Sequence, residues 1–392
     1  MTERRLRTLA VHAGDAHATA KSGTEAGVVF SNTFLFDDAE DARASVSGES
    51  GHYVYTRWGN PTVEAFERKL AALEGAEAAV ALASGMAAIY GVITTFASAG
   101  DHVVAPDAVY GETVRALDTR IKRFGVDVTY VDMTNTAALE AAMTPRTKLV
   151  WSETPANPTL AITNLRRVAE VAHAKGALAA TDSTFATPFH QTPLAHGIDL
   201  VVHSATKAIG GHGDAIAGVV AGTRETVERV RKDVARAAGA ILSPMNAFLM
   251  SRGLATLPLR AKAASESAFE LARRLEADPR IERVYYPGLE SHPGHNLAKT
   301  QMEGGFGAVI AFEVKGGVEA GRALYDGVEL LARAVSVGDL RSLITHSATT
   351  THASVPREQR LRAGISDALV RVSVGIEDVE DIWADLDRAL SA

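Results

Sequence analysis

The sequence predicts an α/β protein: a mostly parallel, seven-stranded sheet with helices on both faces, followed by a smaller C-terminal α+β domain. Short apolar runs alternate with helical patterns between residues 78 and 221. The runs are apolar throughout instead of alternating with polar residues, as in strands buried on both faces. At 392 residues the chain is long for one core, so two domains are expected.

Residues 1–58 are glycine- and polar-rich with little periodicity, and read as an N-terminal arm. Pro61 opens an amphipathic helix with Val63, Phe66, Leu70 and Leu73 on one face, and Gly75 ends it. Strands are expected at Ala78–Leu82, His102–Ala105, Asp127–Val131, Lys148–Glu153, Ala177–Asp182, Asp199–His203 and Ala215–Ala221. From Pro244 to Glu276 the pattern is helical, interrupted at Gly253 and Pro258. Further strands are expected at Arg283–Tyr285, Gly307–Val314 and Leu369–Val374, with helices at Val318–Gly327 and Val379–Ala389. The expected division is an arm (1–58), a main domain (59–255) and a C-terminal domain (256–392).

Composition narrows the function. Hydrophobic residues make up 46% and charged residues 22%, as in a globular enzyme. A net charge of −7 without a basic run argues against nucleic acid or a membrane surface as partner. No apolar run approaches a membrane span, and the N-terminus lacks an apolar segment, so a cytoplasmic protein is expected. The absence of cysteine excludes disulfides, thiolate metal sites and cysteine nucleophiles. The histidines show no metal-ligand pattern; His292 and His295 flank a Pro-Gly turn, so no metal is expected.

Lys207 closes the block His203-Ser204-Ala205-Thr206-Lys207 at the end of one expected strand, and Asp182 ends another. Carboxyl ends of strands are where open α/β sheets bind ligands. A lysine amine can form a Schiff base with an aldehyde cofactor, and a carboxylate can keep a pyridine nitrogen protonated. Ser204 and Thr206 add hydroxyls able to bind phosphate. Together these describe a pyridoxal 5'-phosphate site. Ser84, Gly85 and Met86 turn a strand into a helix, offering backbone N–H groups to a phosphate. Tyr110 could stack on the cofactor ring and exchange protons with substrate, as a catalytic residue beside Lys207 and Asp182. Asn157 could bond its phenolic oxygen, or simply turn the chain before Pro158. Arg371, inside the run Leu369–Val374, suits either a substrate carboxylate or a structural ion pair.

The motifs Tyr-Thr-Arg-x-Gly-Asn-Pro-Thr (55–62), Ala-Ser-Gly-Met (83–86), Glu-Thr-Pro-Ala-Asn-Pro-Thr (153–159) and His-Ser-Ala-Thr-Lys (203–207) carry a resemblance that runs nearly end to end. The chain resembles the fold-type I pyridoxal-phosphate transferase-like enzymes of sulfur amino-acid metabolism, a family that includes cystathionine γ-synthase, cystathionine γ-lyase, methionine γ-lyase and O-acylhomoserine sulfhydrylase. The resemblance implies that Lys207 bonds the cofactor and shuttles protons, that Asp182 pairs with the ring nitrogen, and that Tyr110 stacks on the ring. It implies that Ser84, Gly85, Met86, Ser204 and Thr206 cradle the phosphate. Tyr55 and Arg57 match positions that reach a neighbouring subunit's phosphate, implying a homotetramer, a dimer of dimers with shared sites. Ser336 and Arg371 match the seat of the amino-acid substrate's carboxylate. The activity implied is γ-elimination or γ-replacement on a sulfur amino acid.

Val335 and Val54 stand where cystathionine-using members carry an acid, and Gly317–Ser336 looks close to methionine γ-lyase. The expected reaction is therefore cleavage of methionine or homocysteine to 2-oxobutanoate, ammonia and a thiol. Residues 243–249 and 347–352 look more like the sulfhydrylases. That keeps γ-replacement, and with it the cystathionine enzymes, as alternatives. Two departures bear on this: Glu112 replaces the cysteine of methionine γ-lyases, and Ser183 replaces the family's asparagine. A silent relative would be expected to lack Lys207, Asp182 or Tyr110; all are present.

Overall fold

A computed structural model describes residues 4–14, 27–351, 353, 357–362 and 364–391; His352 of the sulfhydrylase-like segment and parts of the arm lie outside the described residues. The large sheet contains β1 (Ala78–Leu82), β2 (His102–Pro106), β3 (Asp127–Val131), β4 (Thr147–Glu153), β5 (Leu178–Asp182), β6 (Leu200–His203) and β7 (Gly218–Gly222). Their order is β1-β7-β6-β5-β4-β2-β3. β7 runs antiparallel to both neighbours, and the remaining pairs are parallel.

Alternate residues of a strand face opposite sides, and the core divides accordingly. Val80, Leu82 and Val202 pack on Ile89, Val92 and Ile93 of the helix Gly85–Phe96. Ala79, Ala81 and Val219 pack on the opposite side against Phe66 and Leu70, and against Met250 and Leu254. Val104, Val150 and Val201 meet Val168 and Ala172 of the helix Leu165–Ala174. Both faces are therefore covered by helices, which explains the uninterrupted apolar runs.

The smaller sheet holds β8 (Ile281–Tyr285), β9 (Val309–Val314), β10 (Ala332–Arg333), β11 (Leu343–His346) and β12 (Leu369–Ser373), in the order β10-β11-β12-β9-β8. Phe312, Val370 and Val372 pack on Leu324 and Leu386 of the helices Gly317–Gly327 and Val379–Leu390. β10 and β11 were not expected. β10 has two residues, and β11 carries only two apolar residues ahead of Thr345 and His346; neither offers a period to read.

Two expectations need correction. Pro244–Ala277 is one continuous helix, uninterrupted at Gly253 or Pro258. Gly253 is there for close packing, since a Cβ would meet the Gly210 carbonyl oxygen at 2.4 Å. Pro258 is buried within the helix, where packing outweighs its missing N–H. The expected division at residue 255 falls inside this helix. The arm is also more ordered than its composition suggests, with helices at Leu6–His12 and Ala39–Ser47. Asp38 caps the latter by accepting the Asp41 N–H. Among the described residues, no helix is long and apolar enough to cross a membrane, and no cluster of three or more His, Asp or Glu could hold a metal.

Candidate active site

β5 and β6 pair in register Asp182↔Val202, so Asp182 ends its strand beside the turn that carries Lys207. The turn is held on both sides. Thr206 Oγ1 donates to the Ala217 carbonyl and accepts the Ala217 N–H, at 3.1 and 3.0 Å. Thr184 Oγ1 accepts the Ser204 N–H at 2.8 Å, and the Thr184 N–H donates to Asp182 Oδ1 at 2.9 Å. Thr184 thus ties the aspartate to the lysine turn.

Lys207 Nζ donates to Ser336 Oγ at 2.8 Å. Burial, with a contribution from the Arg371 charge, holds its amine below the usual lysine range. Asp182 is 6% exposed, and burial pushes its carboxyl up. Among the described residues no cation forms an ion pair with it. A buried carboxylate without a cation is costly and suits a ligand bringing a protonated nitrogen.

Ser84 caps the helix Gly85–Phe96, its Oγ accepting the Ala87 N–H at 3.1 Å, so the first N–H groups of the helix remain to be satisfied. At Gly85 a Cβ would lie 2.6 Å from Ser204 Cβ and 2.8 Å from its Oγ. Any side chain there would collide with Ser204 and push helix and turn apart. Met86 packs partly buried beneath.

Tyr110 precedes the helix Gly111–Ala116 and keeps 41% of its surface exposed. Burial first, then Glu112, pushes its phenol up. Its N–H donates to Glu153 Oε2 at 3.1 Å. Glu112 itself turns to Arg115 at 3.6 Å and is half-exposed.

Arg371, on β12, is 4% exposed. Its Nη1 donates to Asn157 Oδ1 at 2.7 Å and its Nη2 to the Ser336 carbonyl at 3.3 Å. Nε has no partner, and burial lowers the guanidinium to about 10. Of the two readings of Arg371, the ion pair is not found among the described residues. A guanidinium with an open donor suits an incoming carboxylate. Asn157 Oδ1 is occupied by Arg371, which leaves its amide NH2 as the group to offer a ligand.

Tyr55, Arg57 and Val54 do not join this cluster within one chain. Arg57 Nη1 donates to the Arg236 carbonyl at 2.5 Å, and its guanidinium lies 5.7 Å from the Tyr55 ring. Ser183 is fully buried and accepts from Gln191 Nε2 at 3.2 Å, so this departure is absorbed in packing. Sequence reasoning missed Thr184 and Glu153. A hydroxyl two residues beyond Asp182 was the available signal for Thr184; Glu153 gave only a strand-end carboxylate.

A family described as Cys/Met metabolism PLP-dependent enzyme matches residues 7–391. The chain belongs to that family. An O-succinylhomoserine sulfhydrylase from Pseudomonas aeruginosa is 47% identical over 385 residues, 98% of this chain and 95% of its own. An L-methionine gamma-lyase from Fusobacterium nucleatum subsp. polymorphum is 46% identical over 393 residues, 98% of each. The crystal structure of cystathionine gamma synthase from Xanthomonas oryzae pv. oryzae, in complex with aminoacrylate and cysteine, matches with a TM-score of 0.93. It is 41% identical and covers 100% of this chain and 98% of that chain. This Cys/Met metabolism enzyme is pyridoxal-phosphate-dependent, acts on a sulfur amino acid, and has the fold-type I architecture. Its residues fit the cofactor: a buried carboxylate without an ion-pair partner among the described residues, a lysine with a depressed amine, and a helix start at Gly85 that the Ser204 turn approaches as closely as it does because residue 85 has no side chain.

Proposed function

We propose that this enzyme carries out γ-elimination on methionine or homocysteine, releasing 2-oxobutanoate, ammonia and a thiol. Bound pyridoxal phosphate supplies an aldehyde and an electron-withdrawing ring. Lys207 Nζ would hold that aldehyde and would move the substrate's protons; its lowered basicity keeps more of the amine neutral. Asp182 would hold the ring nitrogen's proton, Tyr110 would cover the ring face, and the Ser84-Gly85-Met86 turn with Ser204 and Thr206 would receive the phosphate. Thr206 acts chiefly by clamping the turn to Ala217. Arg371 takes the substrate carboxylate beside Ser336, with Asn157 orienting the guanidinium.

The observation that carries the methionine assignment is the rim. Val335, 64% exposed, directly precedes Ser336, whose hydroxyl meets Lys207. Val335 itself offers no anion to a second ammonium group on the substrate. Glu112 is directed at Arg115. The second reading, an O-acylhomoserine sulfhydrylase, is favoured by the 47% identical relative. With either goes the expectation of a cytoplasmic homotetramer of two dimers, in which Tyr55 and Arg57 complete the neighbour's site. Phe30 and Leu35 of the arm, 63% and 99% exposed, support such a partner.

Products from methionine, cystathionine, and O-acetyl- and O-succinylhomoserine, with and without sulfide, test the proposal. 2-Oxobutanoate and methanethiol from methionine support it. Turnover only of an O-acylhomoserine with sulfide transfers the assignment to γ-replacement. A cystathionine preference that collapses in Glu112→Gly would show that Glu112 holds a second ammonium group, and methionine would be the wrong substrate.

A further inference from the structure

Glu153 is the last residue of β4 and pairs in register with Asp182, the last of β5. It is 6% exposed. Oε1 accepts the Asn157 N–H at 2.7 Å, and Oε2 accepts the Tyr110 N–H at 3.1 Å. Asn157 in turn holds Arg371. One carboxyl therefore touches both loops that converge on the site, one bearing the ring-facing phenol and the other reaching the carboxylate seat.

We propose that Glu153 is a positioning residue that fixes Tyr110 and Asn157 through its two oxygens, and that it stays protonated beside Asp182 so that Asp182 alone carries the negative charge. The proposal rests on the pyridoxal-phosphate site and not on the choice of methionine. Among the described residues Glu153 has no ion-pair partner. The charged and titratable groups around the site are Asp182 on β5, Tyr110 and Glu112 after β2, Arg371 on β12, and Lys207 and His203 at the end of β6. Two carboxylates paired across adjacent buried strands repel, so one retains a proton. Asp182 receives the Thr184 N–H and faces an incoming cationic ring nitrogen, both of which favour its charged form. Glu153 accepts two backbone N–H groups, which favour its charged form, but burial first and then Asp182 outweigh them and push it up to about 8.

The test uses the holoenzyme. Infrared difference spectra of the wild type, recorded as pH rises from 6 to 10 (about two units either side of that value), should lose a protonated-carboxyl carbonyl stretch near pH 8. No such stretch at any pH overturns the proton assignment, and this readout needs no variant to fold. Glu153→Gln should abolish the signal. Its carboxamide has one acceptor for two N–H groups, so KM for substrate should rise about tenfold, with a smaller fall in kcat. Glu153→Asp should keep the titration yet, with its shorter reach, raise KM by a smaller factor. A Glu153→Gln enzyme with wild-type KM, or one that still shows the titrating stretch, refutes the corresponding half of the proposal. If no family substrate is turned over, the methionine assignment fails but the infrared result still decides this one.

Discussion

Replacing Arg371 with lysine keeps the charge and removes the fork. The guanidinium now serves Asn157 Oδ1 at 2.7 Å and the Ser336 carbonyl at 3.3 Å, and keeps Nε for a ligand. One ammonium at the end of a flexible stem cannot present those donors in a plane. Loss of one hydrogen bond to a charged group costs about 1.5–3 kcal/mol, or roughly 10- to 150-fold in kcat/KM. Most of the loss should appear in KM, because the substrate carboxylate is bound equally before and during the reaction. Steady-state kinetics on methionine would measure it, with the cofactor's visible band as the control for an intact site. A kcat/KM within about threefold of wild type would refute the seat. Loss of the visible band without substrate would instead show that Arg371 supports the cofactor pocket.

Lys207→Ala should abolish both turnover and the visible band of the cofactor-loaded protein, measured by absorption. Gly85→Ala should weaken cofactor binding at least about tenfold in equilibrium dialysis, since its Cβ would sit 2.6 Å from Ser204 Cβ. Cofactor uptake by the free protein requires a neutral amine at Lys207. Its rate should rise with pH and reach its midpoint below the ordinary lysine value of 10.5, because burial and Arg371 disfavour the charged form. Stopped-flow absorption would follow it. Inactive Arg57→Ala and Lys207→Ala chains, mixed under conditions allowing subunit exchange, should regenerate activity; no recovery despite proven exchange would count against shared sites.

Much of this site could be read from residue order alone, because parallel strands deliver their carboxyl ends to one edge. Lys207, Asp182, Tyr110 and Gly85 each follow a legible strand, and the structure gathers them there. Arg371 was legible as a charge inside an apolar run, but its partner Asn157 lies 214 positions away. Glu153 and Thr184 act through single hydrogen bonds to neighbouring backbone, which leave no periodic trace. β11 was hidden because Thr345 and His346 are buried by tertiary contacts, His346 bonding the Asp367 carbonyl at 2.8 Å. Gly253 and Pro258 misled for a related reason: local helix preference yields when a segment is held by packing on both halves.

The Pro244–Ala277 helix, 34 residues and about 51 Å long, places Met250, Leu254 and Leu257 in one core and Ala268, Leu271 and Leu275 in the other. It is a splint across the joint. Lys207 belongs to one side of that joint; Ser336 and Arg371 belong to the other. On the proposed roles of Arg371 and Lys207, the span between the anchor for a substrate's carboxylate and the amine that handles its protons is thereby gauged before anything binds. On that proposal an amino acid is measured against a fixed ruler at its α-carbon, and variety is left to whatever extends beyond the γ-position, towards the exposed Val335.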